Sequence, residues 1–203
     1  MSKRFFPAVL VTSCILWAVT NVRAQTVLCP PDLNGKTVTT VQVQGGECNI
    51  TNSRVNKNIE ASGGTANIST TTVKGSILST GGAVRLLGGV EVSGNVQITG
   101  TQAGTGSGFR NDNTIRGSVG FSGNAGYFTT NSGTTIGANM KFERNTGGYT
   151  SIVGNKVSGN LECTDNDPSP TGFDNEVRGN RTGQCGGRLK GKQDTYLRVN
   201  NEQ

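Results

Sequence analysis

The chain has 203 residues, of which 31 are glycine and none is histidine, and only 32% are hydrophobic and 16% charged. Globular domains usually carry about 45–50% apolar and about 25% charged residues, so this composition argues against a helical bundle, a coiled coil and a multi-span membrane protein. The absence of histidine also excludes a Ser-His-Asp triad and a His-ligated metal site.

Residues 1–24 have the layout of a secretory signal peptide. A short basic start precedes a mostly apolar run over residues 5–19, and small side chains precede the expected cleavage after Ala24. The apolar run is too short to span a membrane comfortably. We therefore expect a mature chain of residues 25–203 that is secreted or periplasmic and has no integral membrane span. A lipoprotein anchored through Cys14 is the competing interpretation, but apolar residues continue beyond that cysteine.

Four cysteines remain once the signal peptide is removed, namely Cys29, Cys48, Cys163 and Cys185. An even number of cysteines in an exported chain indicates disulfides, and four cysteines allow three connectivities. Two of them lie near each end of the mature chain, so the local pairs Cys29–Cys48 and Cys163–Cys185 are favoured. A metal site is not favoured, because the chain has no Cys-x-x-Cys motif and no histidine.

A short pattern recurs along the chain: an apolar residue, any residue, Gly, then Ser or Asn, and then two apolar residues separated by any residue. Its copies begin at positions 55, 73, 92, 115, 136, 157 and 177, of which the first and the last are degenerate, and their spacing is similar but not constant. A second apolar segment lies a short distance before many copies, as at Ile50, Ile68, Leu86 and Ile152. Alternating apolar residues separated by Gly, Asn, Ser and Thr turns indicate short strands.

A repeat of this length, built only from strands and turns, predicts a solenoid, because no unit can bury its apolar face alone. We predict an all-β, single-domain parallel β-helix over residues 25–185, with about seven to eight rungs of about 20 residues each. The variable repeat length favours the right-handed form. A leucine-rich repeat is excluded, because Leu is scarce and no unit contains a helix-forming stretch.

Stacking of the rungs would place equivalent residues in columns. The Gly of each copy predicts a corner with positive φ, which Gly tolerates best, and the Ser or Asn after it is expected to hydrogen-bond the backbone of neighbouring turns. The first inward column is expected to contain Val73, Val92, Ile115, Ile136 and Val157, and the second Ile77, Val96, Val119, Met140 and Leu161. The polar ladder would consist of Ser76, Asn95, Ser118, Asn139, Asn160 and Asn180.

The ends of a solenoid expose strand edges, and the two predicted disulfides lie where they would clamp these ends. Residues 186–203 are polar and basic and are predicted to form a partly disordered tail. Removing residues 1–24 lowers the net charge from +6 to +3, and the tail carries +2 of that remainder. The folded body is therefore nearly neutral, which gives no indication of nucleic-acid binding.

The C-terminal segment has a more specific pattern. Residues 154–163 read GNKVSGNLEC, residues 166–172 read NDPSPTG, and residues 175–180 read NEVRGN, followed by Gln184 and Cys185. This pattern resembles the C-terminal end of a group of exported bacterial β-helical repeat proteins, and the repeats from about residue 41 onward look similar to the same group. The resemblance implies a β-helix and bacterial export, and it implies no activity.

Many β-helices act on polysaccharides, and a glycosidase needs two carboxylates about 5–10 Å apart in one groove. The acids of this chain cluster at Glu162, Asp165, Asp167, Asp174 and Glu176. These residues are the weaker, alternative candidate site, either for a carboxylate pair or for calcium, which takes several oxygen ligands. A solvated, turn-rich loop is the simpler interpretation.

Sugar-binding surfaces often combine exposed aromatic rings with polar side chains. Phe109, Tyr127, Phe128 and Tyr149 lie in the turn segments and are the candidate binding residues; the alternative is that they cover the ends and sides of the core. A third function, ice binding, would need a regular Thr ladder, but the outward positions of the repeat mix basic, polar and glycine residues.

The sequence thus predicts a non-enzymatic secreted or cell-envelope protein with a structural or binding role. Its partners would be an envelope polysaccharide, another protein or further copies of itself, and no cofactor or metal is expected. A polysaccharide lyase or hydrolase that uses the acids at residues 162–176 is the alternative.

Overall fold

The computed structural model describes residues 25–131, 133–186 and 189, so the predicted signal peptide with Cys14 and most of the predicted tail lie outside the described residues. Within this part of the chain there are strands and turns, and no helix that could cross a membrane. The first strands are β1 (Thr26–Cys29), β2 (Leu33–Asn34), β3 (Thr37–Val38), β4 (Thr40–Val43), β5 (Glu47–Thr51), β6 (Arg54–Val55), β7 (Ile59–Ser62), β8 (Thr65–Ser69), β9 (Thr72–Val73), β10 (Ile77–Thr80), β11 (Ala83–Leu86) and β12 (Glu91–Val92). The later strands are β13 (Val96–Thr99), β14 (Gly106–Arg110), β15 (Thr114–Ile115), β16 (Val119–Ser122), β17 (Tyr127–Asn131), β18 (Thr135–Ile136), β19 (Met140–Glu143), β20 (Thr150–Val153), β21 (Lys156–Val157), β22 (Leu161–Thr164), β23 (Thr171–Phe173), β24 (Glu176–Val177) and β25 (Arg181–Gly183).

Every third strand belongs to the same sheet. Sheet A contains the nine strands β1, β4, β7, β10, β13, β16, β19, β22 and β25; sheet B contains the eight strands from β2 to β23, and sheet C the eight from β3 to β24. Neighbouring strands run parallel and come from successive turns, so Ile77 pairs with Val96 and Val96 with Val119. The chain crosses sheets A, B and C in order and rises by one rung per turn. The result is a parallel β-solenoid of about eight turns, which confirms the predicted architecture.

The core consists of stacked columns of apolar side chains. Both predicted inward columns are confirmed, since each of their ten side chains is at most 2% exposed. The column that begins with Val73 lies in sheet C, and the one that begins with Ile77 lies in sheet A. Burying one Val or Ile side chain contributes about 1.5–3 kcal/mol, so these repeated positions are a large favourable term in folding.

An aromatic cluster fills the middle of the solenoid. Phe121 and Phe142 enter it from sheet A, and Phe109 and Phe128 enter it from sheet B. Their ring centroids lie 4.9 to 6.1 Å apart, and all four rings are fully buried. The turn of the solenoid that begins at Val96 is also longer than the one before it, and its extra residues lie between β13 and β14.

The predicted ladder of Ser and Asn residues is confirmed at the corner that precedes each sheet A strand. The side-chain oxygen of one turn accepts a hydrogen bond from the backbone N–H of the next turn, as from Asn95 to Ser76 Oγ at 3.0 Å and from Ser118 to Asn95 Oδ1 at 2.8 Å. The same contact continues from Asn160 to Asn139 Oδ1 at 2.9 Å. These side chains remain accessible to water.

A second, buried ladder was not predicted. The side-chain amide of Asn124 donates to Asn145 Oδ1 at 2.9 Å, that of Asn145 donates to Asn166 Oδ1 at 2.7 Å, and that of Asn166 donates to Gln184 Oε1 at 2.9 Å. Each amide also donates to a backbone carbonyl of the preceding turn, such as that of Phe121. The ladder satisfies backbone groups at the corner between sheets A and B, which burial would otherwise leave without partners.

The glycines of the repeat are needed for a different reason from the predicted one. None of the five repeat glycines, Gly75, Gly94, Gly117, Gly159 and Gly179, has positive φ, so that expectation is wrong. Positive φ occurs at other turns, for example at Asn52 and Asn111. A Cβ at Gly117 would instead overlap the Gly94 carbonyl and the Asn95 side chain of the preceding turn. Close stacking therefore leaves little room for a side chain at Gly117, although Lys57 and Ala138 occupy the equivalent position in other turns.

Both predicted disulfides are present at the ends of the solenoid. Cys29 pairs with Cys48 and Cys163 with Cys185, with Cα–Cα distances of 5.6 and 5.1 Å. At the C-terminal end Arg181 occupies the position that Leu161 has one turn earlier, and its guanidinium donates to the Asn175 carbonyl at 2.6 Å. A polar side chain thus ends the apolar column of sheet A.

Candidate functional site

Two of the four predicted aromatic residues face outward from sheet B. The rings of Tyr127 and Tyr149 are stacked, with centroids 5.6 Å apart and an angle of 7° between their planes. Tyr149 is 57% exposed, and Tyr127 is half-buried. The pair gives the solenoid an aromatic surface whose hydroxyl groups can also form hydrogen bonds.

Phe109 and Phe128 do not belong to this surface, so their assignment as binding residues is wrong. Both are fully buried in the aromatic cluster. Strand alternation is the physical reason, because Tyr127 and Phe128 are consecutive in β17 and must point to opposite faces. Phe109 occupies an inward position of β14, where it pairs with Leu86 and Thr130.

A shallow depression lies beside the tyrosines, because β14 has Gly106 and Gly108 at two of its outward positions. The ring of Tyr127 leans over this strand, and a Cβ at Gly106 would overlap it. The neighbouring strands supply the rim of the depression. We refer to the following side chains as the tyrosine patch: Arg85, Arg110, Tyr127, Thr129 and Tyr149.

The tyrosine patch combines aromatic carbon with hydrogen-bond donors. Arg85 Nε donates to the Gly106 carbonyl at 3.0 Å, which directs the guanidinium along the depression, while Arg85 Nη1 lies 3.5 Å from Glu47 Oε1. This long, solvent-accessible ion pair contributes little, so the remaining donors of Arg85 can bind another acceptor. Arg110 is exposed on the other side of the depression. The arrangement suits a ligand that has an apolar face and several oxygen acceptors.

The five predicted acidic residues are spread over the three sides of the solenoid. Glu162 lies on the outer face of sheet A, and Glu176 lies in β24 of sheet C. Asp165 and Asp174 have positive φ at two different corners, and Asp167 lies in the long turn between β22 and β23. The structure therefore does not bring these carboxylates into one site. Nor do three His, Cys, Asp or Glu side chains converge as metal ligands within the described residues.

Sequence reasoning missed a groove of about 330 Å³ on sheet A. Its floor is Gly120, which lies between Gln97 and Lys141 on the neighbouring strands, and Glu143 and Glu162 line its rim. Lys141 Nζ lies 2.9 Å from Glu143 Oε2, and this hydrogen bond lowers the pKa of Glu143 and raises the pKa of Lys141. Glu143 is therefore ionised at neutral pH and is not the protonated carboxylic acid that a glycosidase requires.

The two outward columns that contain several threonines, one on sheet C and one on sheet A, are each interrupted by a glutamate. On sheet C, Glu91 separates Thr72 from Thr114 and Thr135. On sheet A, the outward column that contains Thr99 continues with Glu143 two turns later. This surface does not favour ice binding.

No family model, no curated protein and no solved structure matches the chain. The resemblance to exported bacterial repeat proteins stays a prediction. The two disulfides are typical of an oxidising, extracytoplasmic compartment.

Proposed function

We propose that the protein is a non-enzymatic glycan-binding protein of the cell envelope or extracellular space, in which the solenoid is the scaffold and the tyrosine patch is the binding site. The observation that carries the proposal is the stacked pair of Tyr127 and exposed Tyr149 beside a depression bordered by arginines. The signal peptide predicted over residues 1–24 and the two disulfides support export.

The chemistry of the tyrosine patch matches that of a sugar ring. The C–H face of a pyranose is apolar and packs against an aromatic ring such as that of Tyr149. Its hydroxyl oxygens can accept hydrogen bonds from Arg85 and Arg110, and the Thr129 hydroxyl can both donate and accept. Because four of the five side chains project from strands of a continuous sheet, little backbone conformational entropy is lost on binding.

A binding role is favoured over turnover by the arrangement of the carboxylates. The predicted acidic residues are dispersed, and Glu143 in the sheet A groove is ion-paired with Lys141 and lies 3.3 Å from Arg144. The sheet A groove nevertheless places Glu143 and Glu162 on one face, so it is the location at which the alternative, a polysaccharide-active enzyme, would act.

The experiment is a screen of residues 25–203 against a panel of uncharged polysaccharides, with binding and bond cleavage measured on the same samples. We expect binding without new reducing ends or unsaturated sugars. Tyr149→Ala should weaken that binding by about 2 kcal/mol, or roughly thirtyfold in dissociation constant, whereas Tyr149→Phe should retain most of it because the ring remains.

The matched control is Leu78→Ala, which removes another exposed apolar side chain, on sheet A. It should leave glycan binding unchanged. Equal losses in Tyr149→Ala and Leu78→Ala would contradict the proposal, and so would cleavage of a polysaccharide that Glu143→Gln abolishes.

A further inference from the structure

The outer face of sheet C is polar and basic. Its outward side chains form two columns, one within the two-residue strands and one directly after them. They include hydroxyl residues such as Thr72, Ser93 and Ser158, and no aromatic or large aliphatic side chain. We refer to its five exposed basic residues as the basic face: Arg54, Lys74, Arg116, Lys156 and Arg178.

Charge is distributed unevenly over the solenoid. The described residues contain 12 Lys and Arg against 11 Asp and Glu, and sheet C's outer face carries five of the former and two of the latter, Glu91 and Glu176. The other described residues thus carry more acidic than basic side chains. The salt bridges found among the described residues join Arg85, Lys141 and Arg144 to acids on sheets A and B, and none involves the basic face. A near-neutral body therefore has one face of positive potential.

The basic face follows the long axis of the solenoid. Lys74, Arg116 and Arg178 occupy one column, with backbone hydrogen bonds linking each position to the turn before it. Two rungs separate Lys74 from Arg116 and three separate Arg116 from Arg178, which corresponds to about 10 and about 14 Å at the usual strand spacing. Ser93 and Ser158 lie between them in the same column and can hydrogen-bond hydroxyl groups.

We infer that the basic face is a second binding surface, which takes a linear polysaccharide bearing carboxylate or sulfate groups, extended along the solenoid axis. The guanidinium and ammonium groups would pair with the acidic groups of the polymer, and the serines with its hydroxyls. This surface lies on a different sheet from the tyrosine patch and does not depend on it.

The low charge density of the basic face favours a glycan over a nucleic acid, and so does the extracytoplasmic compartment that the disulfides indicate. Five basic residues over about six rungs, or about 29 Å, supply roughly one charge per 6 Å, whereas duplex DNA carries one per 1.7 Å. The face offers no aromatic ring on which a base could stack. It also lacks the apolar side chains with which a protein surface enters a membrane interface.

The test measures binding of the purified protein to three polymers of matched length: a polyuronate, dextran sulfate and neutral dextran. We expect both polyanions to bind and neutral dextran not to bind at this face, and we expect the affinity to fall by about tenfold between 50 and 200 mM salt. Binding to the polyuronate alone would assign the surface to carboxylated glycans, and binding to dextran sulfate alone to sulfated ones.

Matched double variants locate the surface. Lys74→Gln with Arg116→Gln should weaken polyanion binding at least about tenfold, whereas Lys141→Gln with Arg144→Gln, which removes the same charge from sheet A, should change it less than about twofold. Tyr149→Ala should leave polyanion binding intact, so this inference and the proposed function can fail separately. Equal losses in the two double variants, no polyanion binding at 50 mM salt, or tighter binding to a DNA oligonucleotide would each overturn the inference.

Discussion

Replacing Asn145 by alanine removes the centre of the buried amide ladder. Asn145 is 3% exposed. Its Oδ1 accepts hydrogen bonds from both the backbone and the side-chain amide of Asn124, and its own amide donates to the Phe121 carbonyl and to Asn166 Oδ1. Four buried hydrogen bonds at about 1 kcal/mol each give an expected loss of about 4 kcal/mol in the free energy of unfolding. Water cannot easily replace them, because the site is enclosed between turns.

Asn139→Ala is the matched control, since it makes the same substitution in the exposed ladder. There the side chain accepts one hydrogen bond, from the Asn160 backbone at 2.9 Å, and solvent can take its place, so we expect a loss below about 1 kcal/mol. Urea unfolding gives the free energies, and native-state hydrogen exchange at the Asn124 amide reports the local loss of protection. Similar losses in the two variants would refute the reasoning that burial makes the ladder strong.

Three further predictions concern stacking, cross-links and pH. Gly117→Ala should lower stability by about 1–3 kcal/mol, because its Cβ meets the backbone of the preceding turn; an unchanged melting temperature would contradict this. Reduction of Cys29–Cys48 and Cys163–Cys185, whose partners are separated by 19 and 22 positions in the sequence, should cost about 3 kcal/mol each, measured as the unfolding midpoint with and without reductant. The hydrogen bond to Lys141 lowers the pKa of Glu143, so the stability this pair contributes is present at neutral pH and is lost as the pH falls through the lowered value. Glu143→Gln should therefore flatten the acid side of the stability profile, and an unaltered profile would show that the pair contributes nothing.

The buried core was the part of the fold that could best be predicted from the sequence, because successive turns repeat the same apolar positions. The columns that contain Val73 and Ile77 could be predicted because alternation and spacing together define a buried face. The role of Gly117 could not, because a sequence shows that a side chain is missing but not that the backbone of the neighbouring turn takes its place. Likewise, the position of Glu143 at the sheet A groove could not be predicted, because it depends on the register in which β19 pairs with β16.

The tyrosine patch on sheet B, too, could be predicted from the sequence only in part. Tyr127 and Tyr149 stood out as aromatic residues in turn segments, and simple alternation within β17 would have separated Tyr127 from the buried Phe128. The depression beside them was not predictable, because β14 replaces the usual apolar strand with Gly106, Ser107 and Gly108 and gives no strand signal of its own. The residues that border the depression can be identified only from the pairing of β14 with β11 and β17, which belong to turns of unequal length.

Glycan binding at the tyrosine patch is tested most directly by tyrosine fluorescence. The single tryptophan of the sequence is Trp17, so a chain of residues 25–203 contains none, and Tyr196→Phe leaves Tyr127 and Tyr149 as its only tyrosines. Titration with an uncharged polysaccharide that binds should produce a saturable change in tyrosine emission, with the same dissociation constant as the direct binding measurement. Saturation of binding without any change in emission would place the glycan elsewhere and contradict the proposed function.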